Sequence, residues 1–187
     1  MVVMARTSDD RLLVEQFKQG DQSAFDKIVN EFSAEIAVLA NRLLAWPGEV
    51  DDVVQDVFLV AYLGLKKFRG DCGLRTWLFT ITINKCRSYR YRRMLRIRRF
   101  LGRRGKVVLA VGGADQRLLN SEMFSHIRRA VRALPPKYRE PMVLKYLQEL
   151  PDDKICQLLG LSENALQVRL NRARKRLKEK LTELIER

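Results

Sequence analysis

The sequence predicts an all-α protein made of two small helical domains joined by a flexible linker. A four-helix N-terminal domain is expected over residues 1–101, the linker over 102–120, and a helix-turn-helix domain over 121–187. Three observations carry this. Apolar residues recur at steps of three and four almost throughout, the spacing that gathers them on one face of a 3.6-residue helix. Alternating apolar and polar runs, which a half-buried strand needs, are almost absent. Gly102, Gly105, Gly112 and Gly113 interrupt the helical pattern between two halves that differ in charge and length pattern.

A first helix is expected over Ser8–Gln19, with Leu12, Leu13 and Phe17 on one side. Gly20 ends it, and Asp21 can cap the next helix by accepting a bond from an unpaired backbone N–H. That second helix carries Phe25, Ile28, Val29, Phe32, Ile36, Leu39 and Leu43 as its apolar stripe, and Trp46-Pro47-Gly48 breaks it. The third, about Glu49–Lys66, buries Val50, Val53, Val54, Val57, Val60, Ala61 and Leu65. Asp51, Asp52, Gln55, Asp56 and Tyr62 line its other sides. Acids in a first helical turn also suit the positive end of the helix dipole. A Gly-containing loop at Phe68–Gly73 leads to a fourth helix that starts near Leu74 or Arg75 and continues past Arg93. Its inward residues are expected to be Leu74, Leu78, Ile81 and Cys86. Trp77, Thr80, Asn84, Arg87 and Ser88 fall on another stripe.

The charge is unevenly spread. The chain carries a formal net +14, yet residues 1–65 hold eleven Asp/Glu against five Lys/Arg, so the acidic front precedes a strongly basic remainder. Between Lys85 and Lys106 there are eleven Lys/Arg and no acid. A solvated helix face ordinarily mixes both signs, so such a run repels itself until a polyanion neutralises it. Two kinds of partner are implied: a protein for the acidic helix, a nucleic acid for the basic one.

Inside the linker lies the apolar run Val107–Val111, whose role stays open. Beyond it, a helix capped by Ser121 runs to about Ala133. A second follows Pro135-Pro136 and reaches Leu147, with Pro141 inside it costing a backbone hydrogen bond or imposing a kink. A short helix at Pro151–Leu159, a Gly160-Leu161-Ser162 turn and a long basic helix then make the pattern of a helix-turn-helix. Ile155, Cys156, Leu159, Leu161 and Leu166 would pack the two helices together. Asn164, Gln167, Val168, Arg169, Asn171, Arg172 and Lys175 are placed to meet duplex DNA. Gln and Asn pair with adenine, Arg with guanine or phosphate, and valine methyls meet the thymine methyl.

Both halves resemble one family. DDVVQDVFLVAY followed by FRGDCGLRTWLFTITINKCRSYRYRR is similar to the second conserved region of bacterial RNA polymerase sigma factors of the extracytoplasmic-function (ECF) group. ALPPKYREPMVLKYLQELPDDKICQLLGLSENALQVRLNRARKRL is similar to the fourth. The resemblance covers about residues 8–100 and 122–181. It implies that Asp52, Gln55, Asp56 and Tyr62 grip the β′ clamp helices of core RNA polymerase, with the β subunit a further contact. It implies that Phe68, Trp77 and Asn84 hold an unstacked base of the −10 promoter element, with Arg75 on phosphate and Thr80, Arg87 and Ser88 beside them. The helix-turn-helix would read the −35 element. An anti-sigma factor is the usual additional partner. The chain departs from the family at Leu150-Pro151-Asp152, where a Ser or Thr cap is usual. It departs again at Asn164-Ala165-Leu166, where Gly-Thr-Val is usual, and at Val168, where a small polar residue is common.

Other classes fit less. A conventional helix-turn-helix regulator acting without polymerase uses residues 136–180 but gives no role to the acidic helix or to FRGDCGLRTW. A membrane-surface or RNA-binding structural protein explains the charge alone. No apolar run approaches the ~20 residues of a membrane span, which points to a cytoplasmic protein. Three cysteines without CxxC spacing and a single histidine, His126, predict neither a disulfide scaffold nor a metal site. No catalytic set and no cofactor is expected.

Overall fold

The computed structural model of the chain describes residues 2–44, 46, 48–101 and 122–185. Helices account for its regular structure, with no strand among the described residues. These residues group into two compact units, one drawn from Met1–Ala40 and Gly48–Gly102, the other from Asn41–Pro47 and Arg103–Arg187. The expected Ser121 cap and the run Val107–Val111 lie outside the described residues.

The first unit is built from α1 (Val2–Lys18), α2 (Gln22–Leu44) as far as Ala40, α3 (Val50–Leu65) and α4 (Leu74–Leu101). Helix α1 begins earlier than Ser8, because no Gly or Pro stands upstream to stop it. Asp21 caps α2 as its sequence position predicts: the Ser23 N–H donates to Asp21 Oδ1 at 2.9 Å and the Ser23 hydroxyl at 2.7 Å. Those bonds hold the carboxyl below the usual aspartate range, the Ser23 hydroxyl contributing most. The core comes from Ile28, Phe32, Ile36 and Leu39 of α2, Val53, Val57, Phe58, Ala61 and Leu65 of α3, and Leu74, Leu78, Phe79, Ile83 and Cys86 of α4. Each fully buried side chain of this size contributes about 1.5–3 kcal/mol relative to exposure.

Two expectations about facing are corrected here. Val60 is 36% exposed and Phe58 takes its place in the core, where it meets the ring of Phe25 edge-on at 6.4 Å. Positions 58 and 60 flank the row 53–57–61–65 on opposite sides, and it is the Phe58 side that meets Phe25 of α2. On α4, Ile81 is only half-buried, whereas Phe79, Ile83 and Cys86 form the buried row at four- and three-residue spacing. Thr82 is buried too and returns its hydroxyl to the Leu78 carbonyl at 2.8 Å.

In the second unit, α5 (Glu122–Ala133), α6 (Pro136–Met142), α7 (Asp152–Leu159) and α8 (Glu163–Ile185) follow in order, and α8 touches the other three. Pro136 opens α6 where its missing N–H costs nothing. Pro141 does cost one, and beyond it the helix widens into a π-helical stretch, Val143–Leu147, closed by the Gln148 N–H on the Val143 carbonyl at 3.0 Å. Glu149 then turns the chain with φ 52°, a left-handed conformation unusual for a residue with a Cβ. Leu134, Tyr138 and Ala173 make a core against which Met142 and Leu177 pack. Helices α7 and α8 are in contact, with Ile155, Leu158 and Leu159 buried on the first, Leu166 and Leu170 buried on the second, and Cys156 and Leu161 half-buried.

The turn between α7 and α8 depends on Gly160, which sits at φ 65° and ψ 45°. Both its N–H and that of Leu161 return to the Cys156 carbonyl, the latter at 3.0 Å, closing the helix end. Ser162 restarts the chain by accepting the Ala165 N–H on Oγ at 3.3 Å. At its other end α7 begins at Asp152, one residue later than predicted, with Pro151 before it and no side-chain cap.

Candidate functional site

Helix α3 supplies the acidic surface. Asp52 and Gln55 are exposed, one turn apart on the same face. Asp56 lies on that face too, but its carboxylate is turned towards α4: Oδ2 accepts from Lys85 Nζ at 3.2 Å and from the Tyr89 hydroxyl at 3.4 Å. Just before the helix, Glu49 accepts from Arg96 at 2.7 Å. The two ion pairs tie the acidic end of α3 to the basic helix. Burial and then the charges of Asp56 and Asp52 push the Tyr89 phenol up from its ordinary value. Arg92 lies 4.9 Å over the Tyr89 ring, and Glu49, Asp52, Tyr89, Arg92, Leu95, Arg96 and Arg99 line an open hollow of about 450 Å³.

Tyr62 is 40% exposed and otherwise packs edge-on against Phe17 at 5.3 Å and Phe25 at 5.1 Å. It therefore doubles as the lid of an aromatic cluster. Two residues that sequence reasoning passed over continue the acidic face: Leu59 is 57% and Leu63 is 69% exposed, at i+7 and i+11 from Asp52. Their signal was present as large apolar residues in the same helical row as the acids.

The loop after α3 and the first half of α4 carry the second group. Phe68 and Trp77 meet ring to ring, 5.0 Å between centroids and tilted by 42°. A Cβ on Gly64 would stand 3.2 Å from Trp77 Cζ2, so the glycine inside α3 is what lets the indole lie down on that helix. A mid-helix Gly costs about 1 kcal/mol against Ala, and here its reason is close approach. Trp77, Thr80, Asn84, Arg87 and Ser88 do share a face of α4. Asn84 is exposed but seven residues along from Trp77, roughly 10 Å at helical rise. The structure brings Phe68 and Trp77 together, with Asn84 two turns further along the same face. The hydroxyls of Thr80 and Ser88 donate to the carbonyls of Thr76 and Asn84 at 3.0 and 3.1 Å.

Arg75 is already engaged within the folded chain. Its Nε donates to both carboxylate oxygens of Glu35 at 2.9 and 3.0 Å, its Nη2 joins Glu35 Oε1, and the guanidinium lies 4.6 Å over the ring of Phe79. It braces α2 against α4. Nothing in the spacing of a lone Glu on α2 and a lone Arg on α4 announced that pair.

On the helix-turn-helix, Asn164, Gln167, Val168, Asn171, Arg172 and Lys175 are exposed along α8, Val168 to 47%, and Arg169 is half-buried. Several are already engaged. Gln167 Nε2 donates to Asp152 Oδ2 at 2.8 Å, and Asn171 Oδ1 accepts from Arg174 Nη1 at 2.7 Å. Arg174 in turn donates to the Tyr146 hydroxyl at 2.9 Å through Nε. Arg172 hydrogen-bonds the Tyr138 side chain, whose ring has Lys137 at 5.1 Å and Arg176 at 5.0 Å. Burial raises the Tyr138 phenol, but the Arg172 bond and the two cations outweigh it, so this group ionises more readily than an ordinary tyrosine. The Cys156 thiol is pushed up by burial and by Glu163, Asp152 and Asp153. Among the described residues no group of His, Cys, Asp and Glu is arranged to hold a metal ion, and no helix is long and apolar enough to cross a membrane.

A unit whose last helix is a ladder of arginines, together with a second unit built as a helix-turn-helix, has the make-up of a DNA-binding protein. Residues 28–96 match the family described as Sigma-70 region 2, and residues 125–177 match Sigma-70, region 4. The chain is 29% identical over 192 residues to the ECF RNA polymerase sigma-E factor of Escherichia coli (strain K12), spanning 98% of this chain and 100% of that one. It is 26% identical over 198 residues to its counterpart in Haemophilus influenzae, spanning 97% and 100%. Among solved structures, CnrH in complex with the cytosolic domain of CnrY is 31% identical with a TM-score of 0.66, covering 93% of this chain and 97% of that one. The sigma factor RpoE in complex with the anti-sigma factor NepR from Bartonella quintana shares the fold at 23% identity, with a TM-score of 0.64 over 84% and 96%. The chain belongs to the sigma-70 family, in its ECF group, and is an alternative sigma factor that directs promoter-specific transcription. The region 2 match gives the acidic helix and the FRGDCGLRTW stretch the role that a free-standing helix-turn-helix regulator denies them, so that alternative is not favoured.

Proposed function

We propose that the protein acts in the cytoplasm as the promoter-reading subunit of RNA polymerase and carries no catalytic site of its own. The exposed face of α3, with Asp52, Gln55 and the outer edge of Asp56, docks on the β′ clamp helices. Leu59 and Leu63 extend that face with apolar area. The loop at Phe68–Gly73 and the face of α4 marked by Trp77 and Asn84 hold the separated strand of the −10 element, and the basic run beyond Lys85 supplies phosphate affinity. Helices α7 and α8 read the −35 duplex. An anti-sigma factor competes for one of these surfaces, as the solved relative bound to one suggests.

The observation that carries this reading is the succession along the chain of an exposed acidic face, an aromatic loop and an acid-free basic helix within one folded unit. A protein-binding surface and a strand-binding surface are thereby held at fixed separation, so docking on polymerase positions the reader. Melting costs a few kcal/mol per base step, and stacking on aromatic rings at about 1–3 kcal/mol per base, with phosphate contacts, offsets it. The test is co-purification with core polymerase. Asp52→Arg with Gln55→Arg reverses the exposed face while sparing Asp56, whose carboxylate also holds Lys85 and Tyr89. Binding to core should be lost with the thermal unfolding profile unchanged. Retention of core binding by the double variant would sink the assignment of α3.

A further inference from the structure

We propose that Asp152 decides which orientation of a base pair the recognition helix accepts, by fixing the polarity of the Gln167 amide. The proposal rests on the reading of α7–α8 as the −35 reader and deepens it. Asp152 is the first residue of α7, and its side chain is about one-third exposed. Its Oδ2 receives Gln167 Nε2 at 2.8 Å, and its Oδ1 pairs with Lys145 Nζ at 2.9 Å. A carboxylate at neutral pH has no proton to give, so the half of the amide that faces it is the NH₂ end. The oxygen Oε1 of Gln167 therefore points away from Asp152.

Gln167 is the fifth residue of α8 and exposed, in the part of a recognition helix that enters the major groove. There, adenine and cytosine display exocyclic amino groups, whereas guanine and thymine display carbonyl oxygens. An amide held oxygen-outward bonds the amino-bearing partner of a base pair and repels the carbonyl-bearing one. An untethered glutamine turns over at little cost and accepts either, which would make a base pair and its inversion nearly equivalent. Lys145 completes the device: it cancels a negative charge that would otherwise sit near DNA phosphates, and it holds the carboxylate that holds the amide. Asp152 is thus a positioning residue, acting on DNA through Gln167.

The experiment is selection by the full-length protein with core polymerase from promoters randomised across the −35 element. Wild type, Gln167→Ala, Asp152→Ala and Asp152→Asn are compared. Wild type should show one position, abolished as a preference by Gln167→Ala, at which a pair such as A·T is favoured over its inversion T·A by about ten-fold. Asp152→Ala should bring that ratio to within about two-fold while the other −35 positions keep their preferences, and Asp152→Asn, whose amide can offer Gln167 either its oxygen or its NH₂, should lower it. Asp152→Asn preserves shape, so loss of helix packing does not produce the same result. The proposal is overturned if the inversion ratio survives unchanged in Asp152→Ala, if Gln167→Ala alters no position, or if every −35 preference falls together. A wild-type selection with no −35 preference at all overturns the underlying assignment of α7–α8 instead.

Discussion

Replacing Arg75 by alanine separates two roles that an arginine at the start of α4 can have. In the structure its guanidinium is engaged twice, with the Glu35 carboxylate and over the Phe79 ring. The pair is partly exposed, 37% for Arg75 and 31% for Glu35, so solvent screens it and its contribution belongs near the top of the surface range, about 0.5–1 kcal/mol. A cation over an aromatic ring at such a site adds about 0.5–1 kcal/mol. Arg75→Ala should therefore destabilise the N-terminal unit by about 1–2 kcal/mol, or a fall of roughly 5–10 °C in its unfolding midpoint. Arg75→Lys should recover little of this, because an ammonium offers neither the planar fork nor the same stacking. Thermal or urea unfolding followed by circular dichroism measures the loss. Promoter binding by the reconstituted polymerase across a salt series measures the alternative. An unchanged midpoint together with a salt slope reduced by about one unit would show Arg75 to be a phosphate contact and refute the brace.

Asn84→Ala should reduce promoter opening, read by permanganate reactivity of the −10 strand, by about ten-fold with duplex binding little changed, since one lost specific contact is worth about 1–3 kcal/mol. Equal losses in both assays would contradict a role in the separated strand. Gly160→Ala should lower the stability of the C-terminal unit by about 1 kcal/mol, as seen in urea unfolding. Open space surrounds the added Cβ, so the whole cost comes from the left-handed backbone, and a stability equal to or above wild type would show that the turn relaxes freely.

The helices were legible because their signals are local. Asp21, Gly160 and Ser162 each terminate or start a helix through bonds to residues within four positions, and those bonds are present. The disruption at Pro141 was foreseeable from a missing N–H, although its outcome as a π-helical stretch depends on how the following carbonyls find donors. Facing was less legible. Phe58 and Val60 differ only in which side of a drifting stripe meets a neighbour, and the neighbour, Phe25, is thirty-three residues away in sequence. The least legible features were side chains that engage one another across helices: Arg75 with Glu35, Asp56 with Lys85, Gln167 with Asp152. Composition placed these residues on suitable surfaces, but exposure alone does not say whether a charged group waits for a partner or already has one.

Asp56 shows what such engagement means for a surface proposed to serve two ligands. Its single carboxylate takes two donors from α4, an ammonium and a phenol. A basic group arriving at α3 has to share or displace them, so its gain is an exchange of one ion pair for another. Conversely, a phosphate that draws Lys85 outward returns acceptor capacity to Asp56 and strengthens the attraction of the acidic face for a cation. By thermodynamic reciprocity the two effects are equal in size, each ligand raising the affinity for the other by the same factor. On the proposed docking of α3 and the proposed phosphate role of the basic run, this one carboxylate couples what reaches the acidic face to what reaches Lys85.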